Sequence, residues 1–365
     1  MAINLFNFDQ VAMRDFFLTH GEKSFYGQQL LQWIHQHDVL DFTQMTNLSN
    51  ACRQKLTKIA SLPLLEVAYD TVSKDGTRKW LFRLEDGNSI ETVFIPEDNR
   101  GTLCISSQVG CALNCQFCST GAMGFNRNLT TAEIILQLWM AKILLQQSNV
   151  DNNITNVVMM GMGEPLLNYD NVLRAINIML DDHAYGLSKY RVTLSTSGVV
   201  PKIYDLARDS TCSLAVSLHA ANDVLRTHLV PINKKYSLAL LMDACRSFFT
   251  QEPRRKVTFE YTLIDGVNDS AADARQLIRL VQDIPCKVNL IPFNPFPQSN
   301  YCCAPWNKIL AFQGILINAG LNTTIRKTRG NDINAACGQL VGNFIDRTRR
   351  SQIQSSNKRA ISRVS

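Results

Sequence analysis

The chain of 365 residues lacks the features of a membrane or exported protein. No apolar run approaches the roughly 20 residues that cross a bilayer. The first ten residues have neither the basic start nor the apolar core of a signal peptide. Charged residues make up 19% of the chain, a little below the usual share for a soluble protein. These absences predict a soluble cytoplasmic protein without membrane contact, and its length suffices for one large and one smaller domain.

The 11 cysteines are an odd number, which makes a disulfide framework the weaker interpretation. In a reducing compartment, thiols more often bind metals or take part in catalysis. Most single cysteines are nevertheless small buried apolar residues. That is the expectation for six of them: Cys52, Cys212, Cys245, Cys286, Cys302 and Cys303.

The formal net charge of +6 is concentrated at the C-terminus, because six basic residues and no acid follow Asp346. A basic tail rich in Ser, Asn and Gln over 346–365 is typical of a disordered arm that contacts phosphates, or of a solubilising tail. Further basic groups at 254–256 and 326–329 give modest support for an RNA partner. Such groups are more often solvated surface.

The hydrophobic pattern predicts three segments before the tail. Residues 1–60 have helical periodicity and predict a small N-terminal helical domain, which we expect to bind RNA. Residues 61–100 predict a β-hairpin extension, because two alternating runs flank Asp86-Gly87-Asn88. Residues 101–345 alternate between strand-like and helix-like runs.

The third segment predicts six βα units. The expected strands are 102–107, 154–160, 190–195, 212–218, 256–264 and 286–291. The expected helices are 131–146, 169–181, 200–208, 236–249, 270–282 and 305–318, the first with a Thr130–Glu133 capping box. Six units are too few for a closed eight-stranded barrel. The predicted fold is therefore α/β, a partial (β/α)6 barrel with ligands at the carboxyl ends of its strands.

Three cysteines follow the first predicted strand, in Cys111-Ala-Leu-Asn-Cys115-Gln-Phe-Cys118. Three thiolates in one loop can bind three irons of a 4Fe–4S cluster, which leaves the fourth iron open to a substrate. The alternative is a zinc-stabilised RNA-binding module without catalysis, with Cys104 as the fourth zinc ligand. Zinc sites usually use paired short loops, whereas Cys104 is expected on a strand, so the spacing favours the cluster.

Polar residues also follow several predicted strands and should converge on one rim. They are Glu164, Ser195, Ser217, His219 and Asn294, and Gly163 precedes the first of them, which gives six rim residues. Glycine lets the backbone approach a ligand closely, and a carboxylate can accept hydrogen bonds from an ammonium group. Any one of these residues alone is more often structural.

The cysteine motif resembles that of the radical S-adenosylmethionine (SAM) superfamily. Nearly the whole chain is similar to one branch of it, the RlmN-type adenine-C2 methyltransferases of 23S rRNA and certain tRNAs. The motifs that carry this resemblance are the cysteine loop, Gly-Met-Gly-Glu-Pro-Leu-Leu-Asn, Ser195-Thr-Ser-Gly, Ser217-Leu-His219 and Asn294-Pro. The resemblance implies a 4Fe–4S cluster on Cys111, Cys115 and Cys118, and SAM held by the six rim residues.

The resemblance implies roles for two more cysteines and one acid. Cys337 would receive a methyl group from a first SAM, and a second SAM would yield a 5′-deoxyadenosyl radical that takes a hydrogen from that methyl group. The resulting carbon radical would add to adenine C2, which is too electron-poor to attack SAM itself. Cys104 would remove the C2 proton and form a disulfide with Cys337. Glu91 would act as an acid or base near the adenine.

The implied targets are an adenosine in the peptidyl transferase region of 23S rRNA and the adenosine 3′ of the anticodon, at position 37, in tRNA. A flavodoxin-like electron donor and a monomeric enzyme are also expected. The sister enzymes that methylate adenine C8 share the cluster, the two cysteines and the chemistry. The stretch of residues 27–34 and the overall likeness favour C2.

Overall fold

The computed structural model describes residues 2–148, 153–248, 256–342 and 346–348. The predicted basic residues Arg254 and Arg255 and nearly all of the basic tail lie outside these ranges. Within them, no helix is long and apolar enough to cross a bilayer.

The N-terminal unit is helical, as predicted. Its elements are β1 (Ile3–Asn4), α1 (Gln10–Thr19), α2 (Tyr26–His35), α3 (Asn50–Ile59) and β2 (Ala60–Ser61). The carboxylate of Asp9 caps α1 and the hydroxyl of Ser49 caps α3, each accepting a hydrogen bond from a backbone N–H of the first turn. The parallel pairing of β1 with β2 brings the two ends of the unit together.

The predicted hairpin is part of an antiparallel arrangement of four strands. They are β3 (Glu66–Val72), β4 (Arg78–Arg83), β5 (Ser89–Glu97) and β6 (Arg100–Cys104). The β4–β5 hairpin turns at the predicted Asp-Gly-Asn sequence, and β3 is an additional strand on its outer edge. Since β6 also pairs with the next parallel strand, the extension and the barrel share one continuous sheet.

Beyond β6 the sheet is parallel, and the spatial order of the strands follows the chain. The strands are β9 (Asn156–Met159), β10 (Val192–Thr196), β11 (Ser213–Ser217), β12 (Val257–Leu263), β13 (Cys286–Pro292) and β14 (Thr323–Ile325). Together with β6 they confirm the six predicted strands and add a seventh, β14, at the edge. A short antiparallel pair, β7 (Gln108–Gly110) and β8 (Phe125–Asn128), flanks α4 (Ser119–Met123).

Helices cover the outside of the parallel strands. They are α5 (Thr131–Gln147), α6 (Tyr169–Leu180), α7 (Val200–Asp209), α8 (Asp223–Leu229), α9 (Leu238–Ser247), α10 (Ala271–Val281) and α11 (Trp306–Asn318). Six of them were expected, α8 is an addition, and the Thr130–Glu133 capping box is present. The N-terminal unit packs against α5, where Trp139 Nε1 donates to the Ile34 carbonyl at 2.9 Å.

Strand alternation places apolar side chains under the helices and polar ones inside the partial barrel. In β12, the outward residues Val257, Phe259 and Tyr261 are fully buried. The inward residues Thr258, Glu260 and Thr262 line cavities. The inside of the barrel is therefore a polar binding space.

All 11 cysteines carry free thiols. Cys52, Cys212 and Cys245 are buried as expected. The same expectation is wrong for the other three: Cys286 and Cys303 are half-buried and Cys302 is exposed. Cys302 and Cys303 lie in the loop between β13 and α11, and such connections run over the protein surface.

Candidate active site

The three predicted cluster cysteines lie between β7 and the start of α4, and all three line one cavity. Cys111 and Cys115 are buried, and the half-buried Cys118 is the N-cap residue of α4. The backbone N–H of Cys111 donates to the Gly124 carbonyl at 2.7 Å, and that of Cys118 donates to the Cys115 carbonyl at 3.3 Å. These bonds hold the loop in a compact turn at the carboxyl end of the sheet.

The donor set of this loop fits an iron–sulfur cluster. Burial raises the pKa of all three thiols, and the neighbouring thiols at 115 and 118 raise that of Cys111 further. Coordination by iron offsets this cost, because a metal-bound thiol is deprotonated outright. Across the described ranges, no three His, Cys, Asp or Glu side chains converge on a position for a single ion.

The Gly-Met-Gly-Glu motif follows β9 and forms one wall of the same cavity. Gly163 has φ +101°, and a Cβ there would lie 2.5 Å from the Cβ of Gln108, so a side chain is excluded. The buried carboxylate of Glu164 accepts from the backbone N–H of Leu166 at 3.1 Å and of Ser197 at 2.7 Å. The hydroxyls of Thr196 and Ser197 also hydrogen-bond to this carboxylate. A buried carboxylate fixed in this way can attract a ligand's ammonium group.

All six rim residues predicted to contact SAM line this cavity, together with the cluster cysteines and Cys337. Ser195 is on β10, Ser217 ends β11, and His219 lies two residues further on. Residues that are far apart in the chain are therefore brought together at the carboxyl ends of the strands, where α/β folds bind their ligands.

His219 is held in a single tautomer. Its Nδ1 accepts from the backbone N–H of Thr262 at 3.0 Å, so the ring proton resides on Nε2. Nε2 is buried and has no hydrogen-bond partner in the structure. Burial, followed by the charge of Arg226, lowers the pKa of His219 to about 3. The ring is therefore neutral at physiological pH and offers one free donor to a ligand. The Phe117 ring packs against it, with 4.0 Å between centroids.

Arg226 on α8 was not anticipated from the sequence, and it fastens the rim. This fully buried guanidinium donates to the carbonyls of Ser197 at 2.8 Å, Ser217 at 3.1 Å and Leu218 at 3.2 Å. These contacts join the ends of β10 and β11, which carry predicted SAM-contacting residues. No sequence signal identifies Arg226, since it lies in a polar helix without a motif.

Cys337 lies in residues 330–342, which we call the Cys337 segment. Two hydrogen bonds join it to the start of α4: Ser119 N to Gly338 O at 2.7 Å, and Thr120 Oγ1 to Leu340 O at 2.6 Å. The side-chain amide of Asn294 also donates to the Cys337 carbonyl at 3.1 Å. Asn294 thus positions Cys337 and also lines the cavity, which we call the SAM cavity after the contacts predicted there.

Cys104 and Cys337 form a thiol pair beside Arg326. Cys104 is buried at the end of β6, and Cys337 is exposed to the cavity. Burial raises the pKa of Cys104 to about 12; the Cys337 thiol raises it too, while Arg326 opposes both effects. Burial within the cavity walls also raises the pKa of Cys337, and Arg326 again opposes this effect. The sequence predicts a solvated surface position for this arginine, whereas the structure places it beside Cys104 and Cys337.

Glu91 on β5 is buried and lies behind the Cys337 segment, outside the lining of the SAM cavity. Its carboxylate pairs with Lys79 at 3.1 Å and accepts from the backbone N–H of Val341 at 2.9 Å. Lys79 in turn donates to the Asn334 carbonyl at 3.3 Å. An acid between Ile90 and Thr92 on a strand would ordinarily face solvent, whereas this one anchors the segment that carries Cys337.

A partial α/β barrel with three thiols in its first βα loop and a polar rim around them defines a radical SAM enzyme. Residues 105–278 match the radical SAM superfamily. Residues 3–62 match the ribosomal RNA large subunit methyltransferase N-terminal domain. A crystal structure of a radical SAM methyltransferase from Sphaerobacter thermophilus is similar, with a TM-score of 0.85 and 41% sequence identity over 93% of this chain and 99% of that one.

Two relatives carry the name dual-specificity RNA methyltransferase RlmN. That of Marinobacter nauticus is 56% identical over 352 residues, 96% of this chain and 95% of the relative. That of Francisella tularensis subsp. novicida is 52% identical over 354 residues, with the same shares. The chain belongs to the RlmN family of radical SAM methyltransferases. Its cofactors are accordingly a 4Fe–4S cluster and SAM.

Proposed function

We propose that this protein methylates C2 of adenosine in RNA, with targets in the peptidyl transferase region of 23S rRNA and at position 37 of certain tRNAs. The carrying observation is the convergence of the cluster cysteines, the polar rim and Cys337 on one cavity, with the buried Cys104 interacting electrostatically with Cys337. The identity of 52% or more to proteins named RlmN supports C2 over the C8 alternative.

The thiolates of Cys111, Cys115 and Cys118 hold the cluster in this proposal. Gly163, Glu164, Ser195, Ser217, His219 and Asn294 orient SAM. When bound, the two cofactors supply a methyl group and a hydrogen-abstracting carbon radical. The chain itself contributes orientation, exclusion of water and the two reactive thiols.

Cys337 serves as the methyl carrier because its sulfur is accessible from the cavity. Its methylated sulfur holds the carbon that bonds to adenine C2. Cys104 lies beside it and takes the C2 proton. The surplus electron of the adduct would return to the bound cluster. Attack of the Cys104 thiolate on the Cys337 sulfur would then break its bond to carbon, which takes a proton to complete the methyl group, and leave a disulfide; this is covalent catalysis by two thiols. Arg326 stabilises the thiolate forms of both residues.

Two features support RNA as the partner. One is the N-terminal helical unit, and the other is a set of basic side chains around a second, larger cavity inside the barrel. Lys256, Lys287, Lys327 and Arg329 line that cavity. Phosphate contacts of this kind supply sequence-independent affinity for nucleic acid. A monomer, a cytoplasmic location and an electron donor of the flavodoxin type complete the proposal.

The decisive experiment incubates the anaerobically reconstituted protein with SAM, a reductant and RNA, and then analyses the digested nucleosides by mass spectrometry. We expect 2-methyladenosine from wild type and from the control Cys302→Ala, and no product from Cys118→Ala, which should not bind the cluster. 8-Methyladenosine would contradict the C2 assignment. A colourless protein that contains zinc would contradict the radical mechanism.

A further inference from the structure

A second, larger cavity of about 1230 Å³ lies inside the barrel towards the amino ends of the strands. Its wall shares Met160, Glu260 and Arg326 with the SAM cavity. The two spaces therefore meet at these three side chains. A base that enters from the large cavity would pass them to reach the reactive thiols.

Glu260 is the inward-facing acid of β12 at this junction. It is paired in register with Ser217 on one side and Asn289 on the other. Only 3% of the residue is exposed. Its Oε1 accepts from the Asn289 side-chain amide at 3.0 Å, whereas Oε2 is buried and has no hydrogen-bond partner. Leaving a buried carboxylate oxygen unpaired is costly, so a ligand is expected to satisfy it.

The orientation of the Glu260 carboxylate is fixed by its neighbours. The Thr324 hydroxyl donates to Oδ1 of Asn289 at 2.5 Å, which turns the amide nitrogen of Asn289 towards Glu260. Oε1 is therefore occupied, and Oε2 is the acceptor left for a ligand. The proposed SAM contacts of this chain do not use it.

Glu260 also lies near the thiols. Arg326 interacts electrostatically with Cys337, with Glu260 and with Cys104. The Arg326 guanidinium donates to the Met160 sulfur at 3.6 Å, which holds it at the junction. A ligand bound by Glu260 would therefore sit in the neighbourhood of the atoms that transfer the methyl group.

We propose that Glu260 selects the target base, with Oε2 accepting a hydrogen bond from the exocyclic 6-amino group of adenine. This inference rests on the proposed function and adds a specificity-determining residue to it. Guanine and hypoxanthine carry a 6-oxo group instead, whose lone pairs would face the carboxylate. A site built to bind a donor rejects analogues that lack it by large factors, because its own buried group is left unpaired.

The test uses synthetic hairpins of the RNA that is methylated in the experiment above, with adenosine, purine riboside or inosine at the target. For wild type we expect kcat/KM to fall about tenfold with purine riboside and about 100-fold or more with inosine. In Glu260→Gln, the side-chain amide of Asn289 should still donate to the Oε1 atom of Gln at position 260. The NH₂ group of that glutamine then faces the junction and can donate to a 6-oxo group. The preference for adenosine over inosine should then collapse by about 100-fold.

Glu97→Gln is the matched control, because Glu97 also interacts electrostatically with Arg326 but does not line the SAM cavity; it should keep the wild-type preference. Equilibrium binding of the three hairpins, measured without SAM, gives a readout independent of turnover. Equal treatment of adenosine and purine riboside by wild type in both assays would overturn the inference without any variant. An unchanged ratio of kcat/KM for adenosine over inosine in Glu260→Gln would also overturn the inference. Wild-type methylation of adenosine would leave the proposed function standing in either case.

Discussion

Two side chains in the cavity wall, those of His219 and Glu260, are buried with one polar atom unpaired. One offers a donor and the other an acceptor, and in each the second polar atom is already bound to the protein. Such half-satisfied groups are rare in protein interiors. In this protein the two groups mark positions where a bound ligand would complete the hydrogen bonding of the cavity wall.

Replacing His219 by Asn should weaken SAM binding about five- to tenfold and leave the fold intact. Asn tolerates the left-handed backbone at this position, where φ is +58°, and its oxygen can accept from Thr262 in place of Nδ1. The donor corresponding to Nε2 is lost, at a cost of about 1 kcal/mol. Equilibrium dialysis of SAM against the reconstituted protein, with thermal melting as a folding check, measures this. Unchanged affinity in a folded variant would contradict the assigned donor.

The two thiols of the pair should fail differently. Cys337→Ala should keep the cluster and still cleave SAM, but lose methylation entirely, because the methyl carrier is gone. Cys104→Ala should accumulate a covalent protein–RNA adduct, because the bond to Cys337 cannot be resolved. A denaturing gel with labelled RNA reports the adduct, and Cys302→Ala is the exposed-thiol control. Release of free methylated RNA by Cys104→Ala would contradict the proposal that Cys104 resolves the adduct.

At the scale of elements, the hairpin β4–β5 is tied to the Cys337 segment. A buried pair, Lys79 and Glu91, lies between them and bonds to the segment through Val341 and Asn334. Loss of one partner from such a pair costs about 3–5 kcal/mol, because it leaves an uncompensated charge. The hairpin extension therefore helps to position Cys337.

Glu91→Gln separates this positioning role from the acid–base role that the resemblance implied. The amide oxygen can still accept from Val341, and Lys79 keeps its bond to the Asn334 carbonyl, so the segment stays anchored although the folding stability falls. We therefore expect kcat to fall less than tenfold and the pH–rate profile to keep its shape. Removing a proton acceptor would instead cost about 100-fold or more and remove one limb of the profile. Measuring kcat across pH for wild type and Glu91→Gln decides between the positioning role and the acid–base role. Loss of one limb of the profile, with the larger fall in kcat, would identify Glu91 as the base.

The sequence predicted the elements well where the periodicity was long and regular. The capping box at Thr130 and the Asp-Gly-Asn turn carry their own local chemistry, so their positions were readable. The short edge strand β14 has three residues, too few for a pattern. Glu260 was readable in principle, because the Val-Thr-Phe-Glu-Tyr-Thr-Leu alternation of β12 places it inside. Its significance depends on contacts with Asn289 and Arg326 that no local pattern contains.

At the scale of the whole molecule, the N-terminal unit docks onto the barrel through buried polar contacts. His35 at the end of α2 lies 3.2 Å from the Tyr185 hydroxyl, and Lys142 on α5 donates to the His35 carbonyl at 3.0 Å. Burial, followed by the charge of Lys142, lowers the pKa of His35 to about 3. The docked state therefore requires a neutral imidazole.

Acid should consequently destabilise the protein before it protonates the folded state. Between about pH 6.5 and pH 3, His35 is protonated in the unfolded chain but neutral in the folded chain. The free energy of unfolding therefore falls by up to about 1.4 kcal/mol for each pH unit of acidification in this range. His219 adds a similar contribution. We expect the melting temperature to drop from pH 7 to pH 5, less steeply in His35→Gln and as in wild type in the exposed control His37→Gln. Equal slopes in His35→Gln and wild type would rule this origin out.

The bonds from Ser119 and Thr120 to the Cys337 segment have a consequence for the life of the protein in the cell. Without iron, the loop that ends at Cys118 loses the coordination bonds that would hold its three sulfur atoms together, and the Cys337 segment bonded to it becomes less constrained. Trypsin should then cut near Lys327 and Arg329 faster than in the loaded protein. Molecules that fail to acquire metal would thus be the first to be degraded, so quality control is built into the same contacts that align the reaction.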